Sequence, residues 1–169
     1  MRRFFLILTL LSCLIGVLLT KLSAQEAPQN EAEKSLNPVL IGLFIGYHGS
    51  FVEGIKDLYG SSGGLSAGAE LSYAIKDELR AAARYEWFSL SATGLPDWTE
   101  NIVNIGLRYS WFGAGVSWIS VQGSSGTGFY AEVVTVKNGF YLGLKADFVS
   151  INSAKVGGYC VYLGYGANF

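Results

Sequence analysis

Residues 129–148 read FYAEVVTVKNGFYLGLKADF. Two runs of period two flank Asn138-Gly139, a dipeptide that predicts a two-residue type I′ hairpin, because both central residues must take positive φ. Such a loop sets Lys137 opposite Phe140, and counting back places Val134 across from Gly143 and Glu132 across from Lys145. One face then carries Phe129, Ala131, Val133, Phe140, Leu142, Leu144, Ala146 and Phe148, while Glu132, Lys145 and Asp147 share the other. A one-residue slip would exchange the faces, so the pattern fixes the register as well as the pairing.

The same pattern recurs along the chain. After Pro38 no helical period is convincing, and period-two segments predict strands at 39–52, 64–75, 79–92, 102–111, 114–122, 129–136, 140–151 and 159–169. Tight connections are expected after the second, fourth and sixth strands, at Lys76-Asp77-Glu78, around Trp111-Phe112-Gly113, and at Lys137-Asn138-Gly139. The other connections read as longer and rich in Gly and Ser. A three-residue turn at Lys76-Asp77-Glu78 sets Ile75 against Leu79 and Glu70 against Arg84.

Across all eight segments one face is apolar, from Val39, Ile41 and Leu43 in the first to Val161, Leu163 and Tyr165 in the last, without Asp, Glu, Lys or Arg. The opposite face holds Glu70, Arg80, Arg84, Glu86, Arg108, Glu132, Lys145 and Asp147 among small residues. Eight strands enclose only enough room for side chains, so the small and charged face belongs inside and the apolar face points into lipid. A soluble lipocalin-type barrel would reverse the two. Aromatic residues fall towards both strand ends, with Tyr73, Tyr109, Trp111, Phe140 and Phe169 at one and Tyr47, Trp87, Trp118, Phe129 and Tyr159 at the other. Two belts of this kind suit the headgroup levels of a bilayer. The expected fold is all-β: an eight-stranded antiparallel up-and-down transmembrane β-barrel over residues 38–169.

Composition is consistent with that reading. Hydrophobic residues make up 50% of the 169 and charged residues 15%, against about 25% charged in soluble globular chains. Residues 1–24 read as a signal peptide, with Arg2 and Arg3 before an apolar run and Leu22-Ser23-Ala24 at its end; a single membrane anchor is the alternative. Residues 25–37 read as a short polar leader. Removing the first 24 residues leaves nine basic and thirteen acidic residues, 9 − 13 = −4, and a single cysteine, Cys160. One cysteine makes no internal disulfide, and the absence of a basic stripe argues against nucleic acid as a partner.

The final strand, alternating aromatics up to Phe169, resembles the terminal strand of the small eight-stranded outer-membrane proteins, the class of the OmpA transmembrane domain and the OmpX/Ail group. In architecture the resemblance covers 38–169. It implies that Tyr165 and Phe169 belong to the signal read by the barrel assembly machinery. It also implies a monomer in the bacterial outer membrane, surrounded by lipid and lipopolysaccharide, with its N-terminus in the periplasm. The chain departs from the class in two expected respects: no peptidoglycan-binding domain follows, and the loops are shorter than those of the adhesive members.

Chemistry is sparse. With one His and no ligand spacing, no metal or other cofactor is expected. His48, Ser50 and Glu53 are the candidate catalytic residues, since lipid A-modifying barrels use a His with a Ser and an acid, and a His beside a Ser can activate it. The pair falls on the luminal face, whereas the deacylase pair faces lipid, and no further motif of those enzymes is visible. The reading is therefore not an enzyme. A lipid A hydrolase or acyltransferase using His48 and Ser50 is one alternative, and a small-solute channel is another. Four basic and four acidic luminal residues sum to zero, which favours paired charges and a plugged lumen over a selective pore. The expected role is structural or interactive at the cell surface.

Overall fold

The computed structural model describes residues 39–76 and 78–168. The expected signal peptide at 1–24, the leader at 25–37, Asp77 in the first tight turn and the terminal Phe169 lie outside the described residues.

The strands are β1 (Val39–Ser50), β2 (Gly63–Lys76), β3 (Leu79–Leu90), β4 (Trp98–Tyr109), β5 (Phe112–Val121), β6 (Ser124–Lys137), β7 (Phe140–Ile151), β8 (Ala154–Val156) and β9 (Gly158–Asn168). Consecutive strands pair antiparallel from β1 to β7, and β9 pairs with both β7 and β1, closing the ring. The three-residue β8 only lines the end of β7. The result is an eight-stranded, antiparallel, up-and-down barrel.

The hairpin at Asn138-Gly139 takes the register expected of it. Asn138 (φ 52) and Gly139 (φ 83) form the turn, Lys137 faces Phe140, Val134 faces Gly143 and Glu132 faces Lys145. Glu70 likewise faces Arg84, but a bulge between Ala74 and Lys76 sets Lys76, not Ile75, against Leu79. An extra residue on one strand is how a short turn absorbs a mismatch in strand length.

Several boundaries differ from expectation. The turn after β4 is Ser110-Trp111, so Phe112 already pairs with Tyr109 instead of lying in the turn. The fifth connection, expected to be long, is the two-residue turn Gln122-Gly123, both at positive φ. Its Gly- and Ser-rich continuation read as loop because those residues form strands poorly. Here Ser124–Lys137 is one strand, and Gly126 and Gly128 are needed where backbone carbonyls of Ser150 and Phe148 come too close for any Cβ. β4 begins at Trp98, four residues before the expected 102, and this brings Glu100 into the wall. β1 and β3 end at Ser50 and Leu90, each two residues short of expectation. A five-residue helix, α1 (Ile55–Tyr59), stands in the first loop where no helix was expected.

Alternation sorts the side chains. Outward residues include Leu65 (81% exposed), Leu43 (69%), Ile45 (67%) and Val116 (59%), an apolar surface that water would not tolerate at this extent. Among the described residues, outward-facing charges occur only at strand ends, as at Lys76 and Lys137. Exposed rings flank the band: Tyr73, Tyr109, Trp111, Phe112, Phe140 and Tyr165 near the tight turns, and Tyr47, Trp87, Trp118, Phe129 and Phe148 near the loops. This is the exterior of a barrel solvated by lipid.

Inside, apolar layers alternate with polar ones. At the loop end Ile102, Ile119, Val121, Val149, Ile151 and Val156 pack together, with Val52 and Trp98 against them. Beside them Ile55 of α1, 2% exposed, packs on Phe88 and Leu90. The α1 loop is held there by the Tyr59 hydroxyl, which donates to the Pro96 carbonyl at 2.7 Å. Deeper in the barrel lie Phe44, Val134, Tyr141, Cys160 and Tyr162.

Candidate functional site

The luminal charges gather in two clusters. The one nearer the tight turns joins Glu70 of β2, Arg84 of β3, Arg108 of β4 and Glu132 of β6. Arg84 pairs with Glu70 and, at 3.0 Å, with Glu132. Arg108 contacts the same two acids, each at 2.8 Å. The Tyr162 hydroxyl accepts from Arg84 at 2.9 Å and donates to Glu132 at 2.9 Å. The Arg84 guanidinium also lies over the Tyr162 ring, 4.2 Å from its centroid, and near the Phe44 ring at 5.1 Å. Two planar guanidiniums bridging two carboxylates make a closed ring of ion pairs, most of them charge-assisted hydrogen bonds. It is buried throughout: Glu70 is 3% exposed, Arg84 4%, Arg108 5% and Glu132 3%.

The cluster nearer the loops is built differently. Lys145 Nζ sits 2.8 Å from both Glu86 and Asp147 and donates to Asn104 Oδ1 at 2.8 Å. Asp147 accepts from Asn104 at 2.6 Å and Ser117 at 2.9 Å. His48 stacks on Phe88 and places Nδ1 2.9 Å from Glu86 Oε1 and Nε2 3.5 Å from Glu100 Oε2. Glu100 also accepts from Ser50 at 2.8 Å and from the Trp98 indole at 2.9 Å. His48, Glu86, Glu100 and Asp147 are fully buried.

These positions amend the sequence reading in particulars. Although Glu132 and Lys145 are ladder partners, no ion pair joins them among the described residues, because each side chain turns to a different cluster. Arg80, expected among the charge network, lies towards the strand end and donates from Nε to Ser72 Oγ at 3.1 Å. His48 is fully buried, and the acids beside it are Glu86 and Glu100, whereas Glu53, expected to join it, is exposed. Ser50 donates to Glu100, so the His48–Ser50 hydrogen bond that a nucleophile needs is replaced by one to a carboxylate.

Glu100 and Tyr162 were missed as members of the interior, and Asn104 and Ser117 counted there only as part of a face of Gly, Ser and Asn. Parity would have found them. Glu100 keeps the inward phase of Ile102, Asn104 and Arg108, and was lost only because the strand was started too late. Tyr162 alternates with the outward Val161 and Leu163.

No family model matches the chain, and no curated protein sequence does. Solved structures do match. The crystal structure of neisserial surface protein A aligns over 78% of this chain and 97% of its own, at 18% identity and a TM-score of 0.57. The fold is that of the small eight-stranded outer-membrane barrels. The attachment invasion locus protein Ail of Yersinia pestis aligns over 77% of this chain and 99% of its own, at 15% identity and a TM-score of 0.46. The same protein, crystallised with the heparin analogue sucrose octasulfate, aligns at 12% identity and a TM-score of 0.42.

Proposed function

We propose that this protein is a sealed, non-enzymatic barrel of the bacterial outer membrane with a structural or surface-interaction role, its tight turns and N-terminus in the periplasm. The observation that carries the reading is the filling of the lumen. Arg84 and Arg108 tie Glu70 and Glu132 together across the bore, and the apolar layer from Ile102 to Val156 packs at the loop end, level with Glu100 and beyond Asp147 on β7. Charges so paired favour a sealed bore, since a buried charge is held by its partners and not by water. The lipid-facing exterior and the shared fold with a protein named for the neisserial surface support the location. With the tight turns facing inward to the periplasm, the loops at 51–62 and 91–97 face the outside, where Leu58 and Leu95 are exposed.

The test is conductance. Protein recovered from membranes of expressing cells, and shown folded by a gel mobility that changes on boiling, is expected to leave a planar bilayer without steady open-channel current. Stepwise, long-lived conductance would overturn the sealed reading in favour of a small-solute channel. Lipid A from the same cells is expected to keep its acylation pattern by mass spectrometry. A change abolished by Ser50→Ala would instead support the hydrolase or acyltransferase.

A further inference from the structure

Glu86, His48 and Cys160 bring three different ligand types to one point of the loop-end cluster. His48 and Cys160 are direct partners across the β1–β9 ladder, and Glu86 reaches them from β3. One ligand atom from each lies within 4.8 Å of the other two. All three residues are fully buried. We propose that His48, Glu86 and Cys160 bind one divalent cation of the zinc class, with Glu100 as the carboxylate that orients the histidine.

Three observations point to a cation there. The donor set is one imidazole nitrogen, one carboxylate oxygen and one sulfur, which suits a borderline-soft ion and not calcium or magnesium, whose sites are built of oxygen. The second observation lies behind the donors: the buried His48 Nε2 and Glu100 Oε2 both lack a hydrogen-bond partner and face each other at 3.5 Å. An ion on Nδ1 puts the imidazole proton on Nε2, where Glu100 receives it. That is the carboxylate–histidine–metal relation that fixes the ring and raises its basicity. The third is charge. Glu86, Glu100 and Asp147 face one ammonium, Lys145, so the cluster stands at −3 + 1 = −2 with a neutral imidazole and at −1 with His48 protonated between its two carboxylates. The turn-end ring of two carboxylates and two guanidiniums stands at zero, with Arg80 beside it towards the strand end. With the Cys160 thiolate counted, a divalent cation brings the cluster to −2 − 1 + 2 = −1; it takes the place of the 2.9 Å contact between His48 Nδ1 and Glu86 Oε1, while Lys145 keeps Glu86 Oε2. The thiol proton of Cys160 is released to solvent on binding, as for any thiolate ligand. Water completes the fourth position of a tetrahedral site.

The experiment uses cobalt as a spectroscopic stand-in for zinc. Protein purified from membranes is unfolded, refolded in detergent with cobalt or zinc so that the ion can enter before the barrel closes, and freed of excess metal by gel filtration. One metal per chain is expected, with a thiolate-to-cobalt charge-transfer band. C160A and H48Q should each fold, by heat-modifiable mobility, yet lose the band and the bound metal. Glu100→Gln should keep the band but weaken binding about 10–100-fold, the usual cost of losing a carboxylate behind a metal-bound histidine. Folded wild-type protein that retains no metal overturns the site, as does a band that survives C160A. Should a substituted chain fail to fold, a competition titration of zinc against a chelator on the wild type decides: retention of stoichiometric zinc by the folded barrel supports the site, and its complete loss overturns it.

Discussion

The two ends of the lumen solve one problem, buried charge, in different ways. Near the tight turns each guanidinium spans both carboxylates, so Glu70 and Glu132 are each held twice. Near the loops one ammonium, Lys145, serves Glu86 and Asp147, and the remaining polar atoms rely on neutral donors such as Asn104, Ser117, Ser50 and Trp98. A planar fork can bridge two acids, whereas an ammonium is a point charge with three donors. The turn-end ring is therefore redundant, whereas the loop-end cluster has a single ammonium, with His48 set between Glu86 and Glu100.

Substituting the two cations tests that contrast most strongly. Lys145→Met should leave Glu86 and Asp147 buried against each other and cost about 3–5 kcal/mol, read as a lowered urea midpoint of the refolded barrel. Arg84→Met should fall at the low end of about 3–5 kcal/mol, because Arg108 still contacts both acids. A loss at Arg84 as large as that at Lys145 breaks the comparison. Next in size is the lipid face at the same depth. Leu144 precedes Lys145 on β7 and faces Val133 and Val161 outward. Leu144→Arg should cost about 2–4 kcal/mol, against about 0–1 kcal/mol for the charge in Trp118→Arg at the belt. Equal tolerance at both depths would contradict the inside–outside assignment. The smallest effect is Ser50→Ala, which removes one of the neutral donors to Glu100 and should cost about 0.5–1.5 kcal/mol in the same denaturation measurement.

The wall of the barrel was far more legible than its contents. Period-two alternation and the Asn138-Gly139 turn sufficed for strand count, faces and the β6–β7 register, because each residue's face follows from parity alone. Strand ends were less clear where Gly and Ser carry the ladder, as in Ser124–Lys137. Those residues have little strand preference of their own, and tertiary pairing decides. Partner choice was least legible. Register places Glu132 opposite Lys145 but does not say where two long side chains lean across a narrow bore. Glu132 reaches the guanidiniums of β3 and β4, while Lys145 reaches Glu86 of β3 and Asp147 on its own strand. The grouping of His48 with Cys160 was equally hidden, since no spacing in the sequence links residues that only barrel closure makes neighbours.

That separation into two clusters is tested most directly by paired double-mutant cycles on one background. Lys145→Met is combined with Glu86→Gln in one cycle and with Glu132→Gln in the other, and stability is read by urea unfolding in detergent. Lys145 and Glu86, in contact at 2.8 Å, should couple by about 0.5–3 kcal/mol, whereas Lys145 and Glu132 should be additive to within about 0.5 kcal/mol. Coupling between Lys145 and Glu132 beside additivity between Lys145 and Glu86 would contradict the account.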